Sequence, residues 1–130
     1  MVKFIDLETV IAIHNDQVKQ FGGLLGLRDK ALLESALGQV KHTYLYTQNI
    51  YEAAAQYCIS LAKNHAFIDG NKRTAADCML TFLIINQIEP RMSSEQLYEW
   101  TLQVAQSEIK RLELAKLLQA NSIILTKLMK

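Results

Sequence analysis

Proline occurs once in these 130 residues and glycine five times, where an ordinary chain carries roughly 12% of the two together. So few turn-makers disfavour a β-sandwich or barrel, whose many short strands need many turns. With half the residues hydrophobic, the collagen-like and disordered classes are excluded as well. Charge of one sign is also missing. The formal net charge is +1 and the charges are interspersed, so no field favours direct nucleic-acid binding or an anionic membrane surface. Cysteine occurs twice, at Cys58 and Cys78, each inside an apolar stretch with no C-x-x-C and no nearby histidine. A zinc site needs about four clustered ligands; these two read instead as small buried hydrophobes in a reducing compartment. Long hydrophobic runs are absent too. Asp6 and Glu8 break the first stretch, and Thr81 interrupts Leu80 to Ile85, so neither a signal peptide nor a membrane span is expected. The expectation is one cytoplasmic domain over residues 1–130, at a length that fits a single core.

The helical period runs almost end to end and predicts an all-α bundle. Asp6 caps a helix from about Leu7 to Phe21, with Val10, Ile13, Val18 and Phe21 on its apolar side. Gly22, Gly23 and Gly26 end it, and Asp29 caps the next, where Leu32, Leu33, Ala36, Leu37 and Val40 recur at helical spacing. His42 to Ile50 has strand character, enough for a short extended flap. Tyr51–Asn64 and Asn71–Asn86 are apolar around nearly their whole circumference, the mark of buried helices. These two form the expected centre of the fold. Pro90 marks a break, Ser93 and Gln96 form a capping box opening a helix to about Ala105, and a further helix starts near Glu108. The tail from Asn121 either extends it or frays.

Between the two central helices lies His65-Ala66-Phe67-Ile68-Asp69-Gly70-Asn71-Lys72-Arg73-Thr74-Ala75. An imidazole, a carboxylate, an amide and two cations gather at the polar interruption of an apolar centre. A loop fixed at both ends by buried helices can preorganise a site. The following helix start presents unpaired N–H groups and a positive dipole end, which favour phosphate. Gly70 permits close approach, and Lys72 and Arg73 add positive charge. Asp69 is suited to Mg²⁺, which takes one or two carboxylates plus phosphate oxygens. His65 is the candidate general base. His14 and His42 have no such company and are assigned to surfaces or helix ends.

The stretch resembles the Fic-domain signature H-P-F-x-D/E-G-N-G-R-x-x-R, and more closely its Doc (death-on-curing) variant H-x-F-x-D-G/A-N-K-R-T. The resemblance extends to Ala12-Ile13-His14, Phe21-Gly22-Gly23, Gly26-Leu27-Arg28-Asp29 and Leu32-Leu33-Glu34-Ser35-Ala36-Leu37, covering roughly residues 4 to 105. It implies an all-helical fold and nucleotide-dependent modification of a protein hydroxyl, with ATP and Mg²⁺ as cofactors. Doc members are toxins of toxin–antitoxin pairs that phosphorylate a threonine of elongation factor Tu. By the match, His65 is the catalytic base and Phe67 the aromatic anchor of the loop. Asp69 is the Mg²⁺-linked carboxylate, Gly70 and Asn71 form the phosphate-cradling turn, and Lys72 and Arg73 hold the nucleotide phosphates.

Three positions depart from the broader Fic pattern. Lys72 stands where adenylylating members have glycine, Ala76 where they have a second arginine, and Ala66 where they have proline. The first two suit the Doc arrangement, with the nucleotide reversed and its γ-phosphoryl facing the target. Adenylylation of a protein hydroxyl is the alternative within enzymes, and a catalytically idle antitoxin-binding module the alternative outside them. No glutamate in the sequence is followed by glycine or asparagine, so the family's inhibitory S/T-x-x-x-E-G/N motif is missing. The implied brake is a Phd-like antitoxin whose C-terminal segment folds on the toxin. Its expected groove runs beside the motif loop, near the first helices and the Gly22–Gly26 loop.

Overall fold

A computed structural model describes residues 1–125. It contains six helices: α1 (Leu7–Phe21), α2 (Lys30–Thr47), α3 (Ile50–Asn64), α4 (Asn71–Ile85), α5 (Ser94–Ala105) and α6 (Arg111–Ala120). Two three-residue strands, β1 (Ile88–Pro90) and β2 (Ser122–Ile124), pair antiparallel with Ile88 opposite Ile124. The chain is an all-α bundle built around α3.

Alanine makes that centre possible. Ala53, Ala54, Ala55 and Ala62 are buried on α3 beside Tyr57, Cys58 and Leu61, and α2, α4, α5 and α6 all pack on it. Tyr57 fixes the chain's start to this helix: its ring lies 5.0 Å from that of Phe82, and its hydroxyl accepts the Ile5 N–H at 2.8 Å. Cys58 and Cys78 are both free and buried. Burial pushes the Cys58 thiol up to about 12, and Cys78 is raised further by the same cause. No helix among the described residues is long and apolar enough to cross a membrane.

The expected caps form. Asp6 accepts from the Thr9 N–H, Asp29 from the Leu32 N–H, and Ser93 with Gln96 closes a capping box. Elsewhere the structure corrects the sequence reading. His42–Thr47 is not a flap but the end of α2, because Thr43 and Thr47 satisfy their hydroxyls on the carbonyls four residues back, at 2.8 Å each. Gln48, in the left-handed region at φ 53°, then ends the helix. The tail neither extends α6 nor frays at Ser122–Ile124, since these residues pair with β1; the rest of it, 126–130, lies outside the described residues. Helix α6 starts at Arg111 rather than near Glu108. Phe21 is exposed rather than on the buried side of α1. Finally, α4 is not covered all round. Ala76 and Leu80 are half-buried and Ile84 is exposed, and at i, i+4 and i+8 they form one open apolar stripe.

Candidate functional site

Residues His65–Gly70 join α3 to α4. The turn before α2 holds them in place. A single antiparallel bridge pairs Leu27 with Phe67. The Ile68 N–H donates to Gly26 O at 3.0 Å, and the Arg28 and Asp29 N–H groups share Ala66 O at 2.7 and 3.0 Å. Arg28 adds its Nε, donating to His65 O at 2.8 Å. Phe67 is buried in the core at 3% exposure, where the resemblance leads one to expect the aromatic anchor of the loop.

His65 ends α3 in the left-handed region, with φ 51° and ψ 45°. A non-glycine residue there stores strain of order 1–3 kcal/mol, of the kind that clusters at functional sites. Its ring is exposed and, among the described residues, makes no hydrogen bond. It lines a cavity of about 480 Å³ together with Lys63, Lys72, Leu102 and Gln106. Lys72 also borders a second groove of about 480 Å³ between α1, α4 and α5, whose walls include Phe21, Arg73, Leu80, Leu97 and Tyr98. In that groove Asp77 accepts from Gln17 Nε2 at 2.7 Å.

The start of α4 is open. Gly70 takes the N-cap position at φ 74° and supplies no side-chain cap, unlike the capping residues of α1, α2, α3 and α5. The first helical bond runs from the Thr74 N–H to Gly70 O, leaving the N–H groups of Asn71, Lys72 and Arg73 without a helical partner. Asp69 is exposed beside them. Its carboxylate accepts the Leu24 N–H at 3.2 Å and the Gly70 N–H at 2.8 Å. These two bonds, in that order, hold its carboxyl below the ordinary value of 3.8, with Arg73 and His14 adding to the effect. Gly23 makes room for it: a Cβ there would stand 2.7 Å from Asp69 Oδ2.

Of the predicted site residues, His65 shares a cavity with Lys72, and Lys72 shares the groove with Arg73; Asp69 lines neither space, and the side chains are engaged differently. Asn71 Oδ1 accepts the Phe67 N–H at 3.1 Å and its Nδ2 donates to Phe67 O at 2.9 Å. Its side chain is committed to the loop, and its N–H is left as its contribution to the open turn. Arg73 donates to Gly22 O at 3.0 Å and lies 5.7 Å from the Phe21 ring centre, while its Nε is buried without a partner. Lys72 is exposed, its ammonium free of any ion pair among the described residues.

His42 is on the surface of α2, as expected. His14 is not at a surface. It is 1% exposed, stacks on the Phe67 ring at 3.8 Å and donates from Nε2 to the Asp69 carbonyl at 2.6 Å. A signal for it exists in the sequence: Val10, His14 and Val18 share one helical stripe, so a histidine there faces the core. Gly23 and Arg28 were likewise not singled out as site residues, and their contacts become visible only when α1 and the turn before α2 are folded against the loop.

A family model described as the Fic/DOC family matches residues 4–83 of this chain, which include the whole loop. The protein named "Protein kinase doc" from Escherichia phage P1 is 33% identical over 110 residues, 83% of this chain and 86% of that one. "Toxin Doc" from Mycolicibacterium smegmatis is 37% identical over 92 residues, 68% of each chain.

Proposed function

The chain belongs to the Fic/DOC family, and from that premise we propose that it is a Doc-type toxin: a protein kinase that transfers the γ-phosphoryl group of ATP to a threonine hydroxyl of a translation factor, elongation factor Tu first among them. The observation that carries the reading is the placement of His65 and Lys72 in one cavity at the open start of α4. A base and a phosphate-binding helix end within one space are what phosphoryl transfer to a hydroxyl requires.

In this reading the N–H groups of Asn71, Lys72 and Arg73, with the Lys72 ammonium, hold the nucleotide phosphates, and Gly70 lets them approach the backbone. The orphaned Arg73 Nε and the uncapped helix start both fit an anion. Asp69 offers one carboxylate. Among the described residues no group of three or more His, Cys, Asp or Glu side chains could hold an ion alone, which suits a Mg²⁺ that arrives with its phosphates. When bound, the ion neutralises charge developing on the phosphoryl oxygens. His65 takes the threonine proton as the hydroxyl oxygen bonds to the γ-phosphorus. The bond from that phosphorus to the β–γ bridging oxygen breaks, and ADP leaves.

The brake is assigned to an antitoxin segment in the groove between α1, α4 and α5. Ala76 and Leu80 of α4 with Leu97 and Tyr98 of α5 line it and supply apolar anchors for an amphipathic helix, and Lys72 and Arg73 at one end suit acidic residues. In this reading the partner lies beside α5 as well as near the first helices. The protein works in the cytoplasm, where its substrate is.

The test is incubation of the purified protein with elongation factor Tu and ATP labelled at either the α or the γ position. Label from γ is expected, and His65→Ala lowers it roughly 10²–10⁴-fold. His65→Asn serves as a companion because asparagine tolerates the left-handed backbone. Label from α replaces the kinase with an adenylyltransferase; no label from either leaves an antitoxin-binding module.

A further inference from the structure

His14 is a polar side chain at 1% exposure in an otherwise apolar stripe of α1. Burying such a group is unfavourable unless it is hydrogen-bonded, and only half of it is. Its Nδ1 is buried with no partner, while its Nε2 lies 2.6 Å from Asp69 O. A carbonyl only accepts, so Nε2 carries the proton and donates it. The ring is also aligned: it lies parallel to the Phe67 ring within 9° at 3.8 Å. Gly70 sits directly above, its Cβ position 3.6 Å from His14 Nε2. One imidazole therefore holds both the buried anchor of the loop and the peptide that joins Asp69 to the start of α4.

We infer that His14 is a positioning residue, whose Nε2–H fixes the Asp69–Gly70 peptide and through it the Asp69 carboxylate and the open N–H groups of α4. The geometry selects the donor rather than the stack. Stacking alone would be served by any flat ring, without leaving Nδ1 unpaired. At the other end of the loop Arg28 holds His65 O in the same way, so a side chain from outside the loop secures a carbonyl at each end of His65–Asp69. The catalytic consequence rests on the kinase reading above; the structural consequence does not.

Two variants separate donor from packing. His14→Phe keeps a flat ring on Phe67 but removes the donor, and a ring carbon cannot approach an oxygen as closely as 2.6 Å. His14→Gln loses the ring but restores an amide donor at similar reach. With γ-labelled ATP, His14→Phe is expected to lower kcat about tenfold to a hundredfold, the scale of a small misplacement of reacting groups. The KM for ATP rises by a smaller factor than kcat falls, because the loosened Asn71–Arg73 N–H groups meet the phosphates while Lys72 remains, and His14→Gln recovers most of the rate. Equal losses in both variants, or full activity in His14→Phe, overturn the inference. A second readout needs no activity. Amide NMR spectra of the folded variants are expected to show shifts and faster hydrogen exchange at Gly70–Arg73 in His14→Phe, reversed in His14→Gln. Should the wild type transfer nothing, the kinase reading falls, and the spectra alone decide the role of His14: unchanged Gly70–Arg73 amides in His14→Phe would refute it.

Discussion

Asn71→Ala distinguishes a residue that holds the loop from one that holds the ligand. The motif resemblance implies that Asn71 belongs to the phosphate-cradling turn, yet its amide makes both of its bonds to the backbone of Phe67, at 3.1 and 2.9 Å. Phe67 is 3% exposed, so truncating the amide strands an N–H and a C=O of a buried residue. Each buried unsatisfied group costs about 1–3 kcal/mol. The loop lies near the surface and water can reach part of the gap, so a total of about 2–4 kcal/mol is expected. At about 4 °C per kcal/mol for a domain of this size, the melting temperature falls by about 8–16 °C. Asn71→Asp keeps the acceptor for the Phe67 N–H and loses only the donor to Phe67 O, so it falls between alanine and wild type. The Asn71 N–H survives both changes. Calorimetric binding of Mg²⁺-ATP below the melting range therefore changes little. An Asn71→Ala protein that melts within about 2 °C of wild type while losing nucleotide binding would refute the argument and turn the amide toward the phosphates.

Gly23→Ala adds a Cβ 2.7 Å from Asp69 Oδ2 at a backbone with φ 118°; it should displace the carboxylate and cut transfer at least about tenfold, whereas Gly38→Ala in α2, with nothing within 4 Å and no positive φ, retains most of it. Transfer unaffected by Gly23→Ala would show that Asp69 need not stay where it is. Tyr57→Phe leaves the Ile5 N–H, which the tyrosine hydroxyl accepts at 2.8 Å, without a partner, and should cost about 1–3 kcal/mol in a thermal melt; an unchanged melt would mean that water takes the hydroxyl's place. Asp6 is held below its ordinary value of 3.8 by hydrogen bonds from the Thr9 hydroxyl and then the Thr9 N–H. A depressed folded pKa adds stability above the unfolded value that is lost as pH falls through the folded one. The melting-temperature gap between wild type and Asp6→Asn should be flat from pH 7 to about 4 and close below that; closure already between pH 7 and 5 would contradict the lowered pKa.

Most of the helices were legible because their signals are local. Asp6, Asp29 and Ser93 with Gln96 cap where they stand, and the alanine run on α3 is buried because it is apolar on nearly every side. Three kinds of feature escaped. Thr43 and Thr47 suggest a strand by propensity, but the side-chain bonds that keep them helical depend on a helix already present. The β1–β2 pair joins residues more than thirty positions apart, and neither three-residue segment carries a period of its own. The open stripe on α4 breaks the rule that an all-round apolar helix is a buried one, since its exposed side has the same composition as the side facing the core.

The site shows why a short motif was informative here and why it was incomplete. Taken from the loop alone, His65, Asp69, Gly70, Asn71, Lys72 and Arg73 suggest phosphate chemistry, yet nothing local states what keeps them in register. The upstream segments that share the family resemblance are the ones that touch the loop. His14 holds Asp69 O, Gly22 O accepts Arg73, Gly23 leaves room for the Asp69 carboxylate, Gly26 O accepts Ile68, and Arg28 holds His65 O. Residues between 37 and 55 positions apart thus form one clamp around His65, Ile68, Asp69 and Arg73, and the spacing between them is set by α1, α2 and α3 rather than by the motif. A pattern search sees such segments as separate fragments of similarity. Physically they are a single constraint, because a left-handed histidine and an uncapped helix start are each unfavourable alone and persist only where the surroundings fix them. The same reasoning explains the error over His14. Judged by its neighbours in sequence it has no chemical company, whereas judged by its place on the Val10–Val18 stripe it faces the core, directly beneath the residues whose positions matter most.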